Sequence, residues 1–374
     1  MAPKPQLPTV ELPPVTVEGD PRLARMNDEE LFAEGSAAFS ANDFDRAGLI
    51  FGRLMDAFPH SRHFNAAALQ AGKSAEQLER WEEARARFAA AADPAHGEGD
   101  ALEAAFKLAE VDYQLADYQA PAQLLATIAD RGELPLEVRI QARVQQGICE
   151  VELGSLDHAE TTLRAALTLW QGASHPRDLD DYYPAQAEFF LGEIYRIHEQ
   201  DVTLDPDQTA DQLGQQLEYK AELLLSAQGH YLRAIKIGNG YWATAAGTEV
   251  GTLYEGLYRY LTAAPTPTEL NAEETDVYRQ EVRKKIRVLL TKAISIYEST
   301  LDAADRVGAR GPFVEQSREG LSRLKALLVA QDNDAELVNG APPLPSPAPP
   351  PPPARRPDRL TPQAGPAPAP ATRG

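Results

Sequence analysis

The side chains that could carry out chemistry in this chain are few and scattered. Of the seven histidines, only His60 and His63 lie close together, and no acidic or sulfur residue follows them at the spacing of a metal site. We interpret that pair as part of an exposed turn. The single cysteine, Cys149, stands between Ile148 and Glu150 in a helical pattern, where a free cysteine is usually a buried packing residue.

Sequence motifs of enzymes are missing as well. The chain contains no phosphate-binding loop, no glycine-rich dinucleotide motif and no nucleophile elbow. An enzyme could only be hidden in the stretch 180–310, and that stretch has no supporting group of residues. We therefore expect a non-enzymatic protein that needs neither a metal nor a cofactor.

Composition and charge narrow the possible partners. The net charge is -20, which repels phosphate backbones and disfavours a nucleic-acid partner. The acidity serves either solubility or an acidic docking patch. Hydrophobic residues make up 43% of the chain but aromatic residues only 7%, and alanine and leucine dominate, which favours helices over sheets.

The sequence also bears on location. No run of eighteen apolar residues is present, so we expect no membrane-spanning segment. The first six residues lack the apolar core of an export signal. Two locations stay open: a periplasmic or outer-membrane-associated protein whose export signal has been replaced, or a cytoplasmic protein.

A repeat runs through the first half of the chain. A small residue is followed by an aromatic residue or Leu nine positions later, by a second small residue twelve positions later, and by Phe or Leu sixteen positions later. The four copies are Gly35, Phe44, Ala47 and Phe51; Gly72, Trp81, Ala84 and Phe88; Ala109, Tyr118, Pro121 and Leu125; and Gly147, Leu156, Ala159 and Leu163. We expect helical hairpins in which the small residues allow two helices to touch. Because proline is tolerated in a first helical turn, Pro121 predicts a later start of that helix.

These copies resemble the tetratricopeptide repeat, a helix–turn–helix unit of about 34 residues. The resemblance implies an all-α fold, a right-handed superhelical array of helical hairpins closed by a C-terminal capping helix. We expect four repeats in residues 25–180, then lengthened repeats and the capping helix in 181–332. Residues 1–24 and the proline-rich tail 333–374 are expected to be disordered. Within 1–24, residues 9–18 alternate in the manner of a strand that could pair with another protein, or they are only a leader.

The C-terminal part carries a second resemblance. Residues 220–308 include the sequences Tyr-Trp-Ala-Thr-Ala-Ala-Gly from position 241 and Ala-Ile-Ser-Ile-Tyr-Glu from position 293. This stretch is similar to the C-terminal module of tetratricopeptide proteins of myxobacteria and their relatives, some of which belong to the gliding-motility machinery. The resemblance implies an envelope location and a role in assembling a multi-protein complex.

Tetratricopeptide arrays offer a concave groove lined by the first helix of each repeat. From the repeat phase, the predicted partner-binding residues are Phe32, Ser36, Phe39, Leu69, Lys73, Glu76, Phe106, Glu110 and Tyr113. Aromatic and aliphatic residues among mixed charges suit an apolar helix or an extended peptide. The alternative for each aromatic residue is a role in the core between repeats. We predict a scaffold in an envelope complex; the alternative is a cytoplasmic adaptor that uses the same groove.

Overall fold

In the computed structural model, the described residues are 22–93, 100–176, 179–202, 210–263 and 271–337. Within them the chain forms helices and turns and no strand. The chain divides into two compact units, residues 1–125 and 126–374. The predicted all-α fold of helical hairpins is confirmed.

The first unit consists of successive helical hairpins. Its helices are α1 (Asp28–Ser40), α2 (Phe44–Ala57), α3 (Phe64–Gln77), α4 (Trp81–Ala92), α5 (Ala101–Gln114) and the beginning of α6 (Gln119–Ala129). Each helix packs on the next one along the chain from α1 to α5, and α1 also contacts α3. The first helices of the hairpins therefore lie beside one another.

The second unit contains longer helices. They are α7 (Leu136–Glu152), α8 (Leu156–Gln171), α9 (Tyr182–Asp201), α10 (Ala210–Ile237), α11 (Gly240–Ala263), α12 (Ala272–Val307) and α13 (Pro312–Leu337). The lengthened repeats expected after residue 180 thus correspond to α9–α13. The helix α13 packs on both α11 and α12, which is the arrangement expected of a final helix.

The turn inside each of the first four hairpins is the same. Seven residues after the small residue of each copy, the chain adopts a left-handed conformation with φ between 56° and 73°, at Asn42, Glu79, Ala116 and Gly154. The next amide in each case donates to the carbonyl oxygen five residues earlier, at 2.9 to 3.0 Å. This hydrogen bond satisfies a carbonyl at the end of the first helix and turns the chain back. Only one of the four positions is glycine, so the other three bear a strain of roughly 1 kcal/mol each.

In three of the four copies the small residue is a glycine that permits the close helix contact predicted from the repeat. A Cβ atom added at Gly35 would lie 2.7 Å from the ring of Phe51, and one at Gly72 would lie 2.5 Å from Phe88. Both rings are fully buried. In the second unit Gly147 meets Leu163 in the same way.

In the long hairpins the same kind of contact is made by residues much farther apart in sequence. Gly192 on α9 faces the ring of Tyr231 on α10, and Gly251 on α11 faces the ring of Tyr297 on α12. The partner thus lies 39 and 46 residues later, instead of sixteen. A contact between a glycine and a buried ring thus recurs in the long hairpins, although the two residues are much farther apart in the sequence.

Several predicted boundaries need correction. Leu23 was assigned to the disordered N-terminal segment, but it is only 3% exposed and lies in a short 3-10 helix (Leu23–Arg25). The backbone carbonyl of Leu23 accepts a hydrogen bond from Arg53 at 2.9 Å. The last helix continues to Leu337, five residues past the predicted end of the folded part. The helix α6 begins at Gln119, one residue later than the repeat phase gives, and has Pro121 in its first turn as expected. Residues 1–21 and 338–374 lie outside the described residues.

Candidate functional site

The predicted groove residues lie on the first helices of the first three hairpins, all in the first unit. We call this surface of α1, α3 and α5 the first-helix face. Eight of the nine predicted residues are half-buried there, neither in the core nor fully in solvent: Phe32, Ser36, Phe39, Lys73, Glu76, Phe106, Glu110 and Tyr113. Half-exposed aromatic rings in rigid positions can bind a partner with little loss of side-chain entropy.

The ninth residue, Leu69, does not belong to this face. Its side chain is 3% exposed and lies in the hydrophobic core of the first unit. The helix α3 packs against both α2 and α4 and also contacts α1. Neighbouring helices therefore cover more of the surface of α3 than they would cover of a helix at the end of an array. Leu69 is therefore a core residue, and its assignment to the groove was wrong.

The aromatic residues of α1 are held in place by their neighbours. The ring of Phe32 stacks on His63 with centroids 4.7 Å apart and lies 5.8 Å from Phe51. The ring of Phe39 packs edge-on against Phe44 at 5.3 Å. These contacts fix one side of each ring and leave the other side partly accessible. His63, expected in an exposed turn, is in fact half-buried against Phe32.

The helices α3 and α5 are joined across the face by ion pairs. The ammonium of Lys73 lies 2.6 Å from Glu103. The ammonium of Lys107 contacts Glu76 at 3.2 Å and Glu110 at 2.8 Å. Each lysine of this network is therefore already neutralised by a carboxylate of the same face, and neither is a free anchor for an anionic group.

Burial and the ion pairs of this network shift the pKa values of Lys107 and Glu110. Burial opposes the charge of Lys107, but the two carboxylates outweigh it and raise the pKa of the ammonium above its usual range. Burial also raises the pKa of Glu110, and the attraction of Lys107 only partly offsets this effect. Lys107 thus stays charged at neutral pH, held by the carboxylates on either side of it.

Sequence reasoning missed Glu103 and Lys107. The signal was present as a Lys-x-x-Glu pattern that occurs at positions 73–76 and again at 107–110. Residues three apart are neighbours on a helix, so both patterns place a charge pair on one face. What the pattern could not give is the crosswise pairing, in which each lysine bonds to the other helix.

Below the face, α5 is held to α4 by a second ion-pair group. Arg85 of α4 contacts Asp112 at 2.7 Å and Asp117 at 2.7 Å. Asp112 is 3% exposed, and its burial raises the pKa of the carboxyl despite the neighbouring guanidinium. Tyr113, next to it, packs edge-on against Tyr118 at 5.0 Å. These contacts fix the orientation of α5, and with it the positions of Phe106 and Glu110.

The second unit contains buried charges of its own, and they are paired. Glu188 lies 2.7 Å from Nδ1 of His230 and 3.0 Å from Arg233. Glu193 accepts a hydrogen bond of 2.6 Å from the hydroxyl of Tyr231 and pairs with Arg196 at 2.7 Å. Burial, followed by the charge of Glu193, holds the pKa of Tyr231 well above its usual range. These groups stabilise the packing of α9 on α10.

Two further kinds of site, for a metal ion and for a membrane, concern the same described ranges. Within them, no group of three or more His, Cys, Asp or Glu side chains is arranged to hold a metal ion. No helix there has the length and apolar character needed to cross a bilayer. Cys149 is buried in α7, as its sequence context predicted.

Comparisons with known proteins give structural neighbours only. No protein-family model and no curated protein matches the sequence. A tetratricopeptide-repeat protein of Bacteroides fragilis aligns with 80% of this chain and 99% of its own at 13% identity and a TM-score of 0.30. One from Parabacteroides merdae covers 80% and 98% at 13% identity and a TM-score of 0.37. A human IFIT1 dimer with m7Gppp-AAAA covers 84% and 73% at 13% identity and a TM-score of 0.35.

Proposed function

We propose that this protein is a non-enzymatic adaptor that binds a segment of another protein along the first-helix face. The observation that carries the proposal is the alternation on this face of half-exposed rings with an ion-pair network. The rings of Phe32, Phe39, Phe106 and Tyr113 offer apolar contact area in fixed orientations. The network between them has one more carboxylate than lysine and can accept a cation of an incoming peptide.

The charges of the face favour a particular partner. Its network has two lysines, Lys73 and Lys107, against three carboxylates, Glu76, Glu103 and Glu110. The chain as a whole carries a net charge of -20. A segment that presents apolar side chains together with Lys or Arg would fill the spaces between the rings and pair with the excess carboxylate.

The same charges disfavour a nucleic-acid ligand of the kind named for the IFIT1 structure. A phosphate backbone needs free cations, whereas the lysines of this face are paired with carboxylates. We propose protein partners in a multi-subunit complex. The C-terminal resemblance supports a place in an envelope assembly such as a gliding-motility machine, in the periplasm or at the outer membrane. The second candidate is an adaptor in the cytoplasm.

The experiment compares partner capture by the parent chain and by a face variant. The variant replaces Phe32, Phe39 and Tyr113 with alanine together, and captured proteins are identified after crosslinking. We expect the variant to lose its specific partners while its helical circular-dichroism spectrum is retained. Fractionation of the source cells then distinguishes the envelope from the cytoplasm.

A matched control separates loss of binding from loss of folding. Leu49 of α2 is 44% exposed and lies outside the first-helix face, so Leu49→Ala removes a surface aliphatic side chain elsewhere in the same unit. This control should capture the same partners as the parent chain. Capture that survives the triple replacement would exclude the first-helix face as the binding surface.

A further inference from the structure

The helix α10 carries an exposed apolar stripe. Leu225 is 63% exposed, Leu232 is 50% exposed and Ile235 is 37% exposed. Spacings of seven and three residues place these side chains on one face of a helix. The opposite face of α10 is in the core, where Tyr231 and Ala234 are fully buried. Burying exposed Leu and Ile side chains against an apolar surface would be favourable.

A glycine against which no other described helix packs lies in the middle of this stripe. Gly229 is an interior residue of a helix of 28 residues, where glycine is about 1 kcal/mol less favourable than alanine. The nearest neighbour of a Cβ atom added there would be the guanidinium of Arg233, at 3.5 Å. Gly192, in contrast, is required by the ring of Tyr231. At Gly229 the absence of a side chain instead leaves room on the outer surface of α10.

Two exposed and opposite charges lie at equal distances from that glycine. Glu222 lies seven residues before Gly229 and Lys236 lies seven residues after it, and both are exposed. Leu225 and Leu232 lie at almost equal distances on either side. Successive residues of a helix turn by about 100°, which places Glu222 and Lys236 on the same flank of the apolar stripe. An antiparallel copy of this helix would therefore bring opposite charges together at both ends.

We propose that α10 pairs with α10 of a second copy of this chain, antiparallel about a two-fold axis near Gly229. A two-fold interface requires a surface that is complementary to itself, and this one has that property. Leu225 packs on Leu232 of the partner subunit, and Glu222 pairs with Lys236 of the partner subunit. The two glycines meet at the centre, where small residues let helices approach closely.

The size of the stripe limits the strength of this dimer. A single pair of helices buries less than the roughly 1,600 Å² of a standard interface. We therefore expect association that depends on protein concentration. The two Glu222–Lys236 pairs lie at the rim and set the register of the helices more than their affinity.

The test measures the molecular mass of the full chain by sedimentation over a wide concentration range. The parent chain should shift from monomer to dimer as concentration rises, and Leu232→Glu should abolish that shift. Val329→Glu on α13 is the matched control, because Val329 is 60% exposed and lies on a different helix. The control should dimerise like the parent chain. Circular dichroism should show the same helix content in all of these proteins.

Charge reversal tests the antiparallel register itself. Glu222→Lys alone and Lys236→Glu alone each place like charges opposite one another, and each should weaken dimerisation by about tenfold. A mixture of these two variants should associate again, because each chain then supplies the charge that the other needs. Each of three results would overturn the proposal. The parent chain could stay monomeric, Leu232→Glu could dimerise like the parent chain, or the mixture of charge variants could associate no more strongly than either variant alone.

Discussion

The contact between Gly192 and Tyr231 gives the sharpest test of the packing. A Cβ atom at residue 192 would lie 2.5 to 2.9 Å from three ring carbons of Tyr231, whereas carbon atoms pack best at about 3.5 to 4.0 Å. The ring is fully buried, and its hydroxyl is fixed by the 2.6 Å hydrogen bond to Glu193. It cannot withdraw by a rotation. The substitution Gly192→Ala must therefore move α9 and α10 apart by about 1 Å.

Two opposing effects determine the size of the change. Alanine is favoured over glycine in a helix by about 1 kcal/mol, whereas overpacking of a core typically costs about 1–3 kcal/mol and occasionally more. For an overlap of this extent with a fixed ring we expect the packing cost to be at the upper end. The free energy of unfolding should then fall by about 1–2 kcal/mol. Urea denaturation followed by circular dichroism measures this value.

The control is Gly256→Ala in α11. In the described part of the chain, a Cβ atom there meets nothing within 4 Å beyond the backbone of its own helix and its chain neighbours, so only the helical preference acts and the free energy of unfolding should rise by roughly 0.5–1 kcal/mol. In a Tyr231→Ala background, Gly192→Ala should lose its destabilising effect because the ring is gone. A Gly192→Ala chain that is more stable than the parent chain, like Gly256→Ala, would refute a fixed contact between residue 192 and the ring of Tyr231.

Three further predictions concern other contacts. Ala84 is fully buried at a repeat position, so Ala84→Trp should lower the free energy of unfolding of the first unit by about 1–3 kcal/mol or more, and an unchanged melting temperature would contradict the repeat phase. Burial raises the pKa of Tyr297 to about 12. Between pH 10 and 12 the unfolded chain releases this proton and the folded chain keeps it, so the free energy of unfolding should fall as the pH rises. In the Tyr297→Phe variant the same free energy should fall less steeply over this range. Arg323 donates two hydrogen bonds of 2.9 and 3.0 Å to the buried carboxylate of Glu255. Arg323→Gln should therefore lower the free energy of unfolding by about 1 kcal/mol or more in the same assay. The control Lys325→Gln removes an exposed ion pair and should change that free energy little.

The first hairpins could be predicted from sequence because their contacts are local. Offsets of nine, twelve and sixteen residues span only one short hairpin, and they predicted that two helices touch at Gly35 and at Gly72. The structure adds that the contact is made with the rings of Phe51 and Phe88. The contacts of Gly192 with Tyr231 and of Gly251 with Tyr297 could not be predicted in this way, because helix and loop lengths set the separation of each pair and no local period encodes it.

The candidate site was predictable only in outline. The repeat phase placed eight residues on the first-helix face, but it could not show that α3 is covered by helices on several sides, which buries Leu69. The network around Lys107 depends on how far α5 is shifted along α3, and that shift follows from core packing between the helices. A partner-binding role for the eight face residues stays a prediction.

The buried indole of Trp242 has a consequence for spectroscopy. It is 2% exposed, and its ring centroid lies 5.1 Å from that of Phe189 and 6.0 Å from that of Phe190. An indole in such apolar surroundings fluoresces at shorter wavelength than one in water. Trp81 and Trp170 are both half-exposed, and Trp81 is in the first unit. The blue edge of the emission spectrum should therefore report the opening of the second unit's core, in the unmodified chain and without a dye.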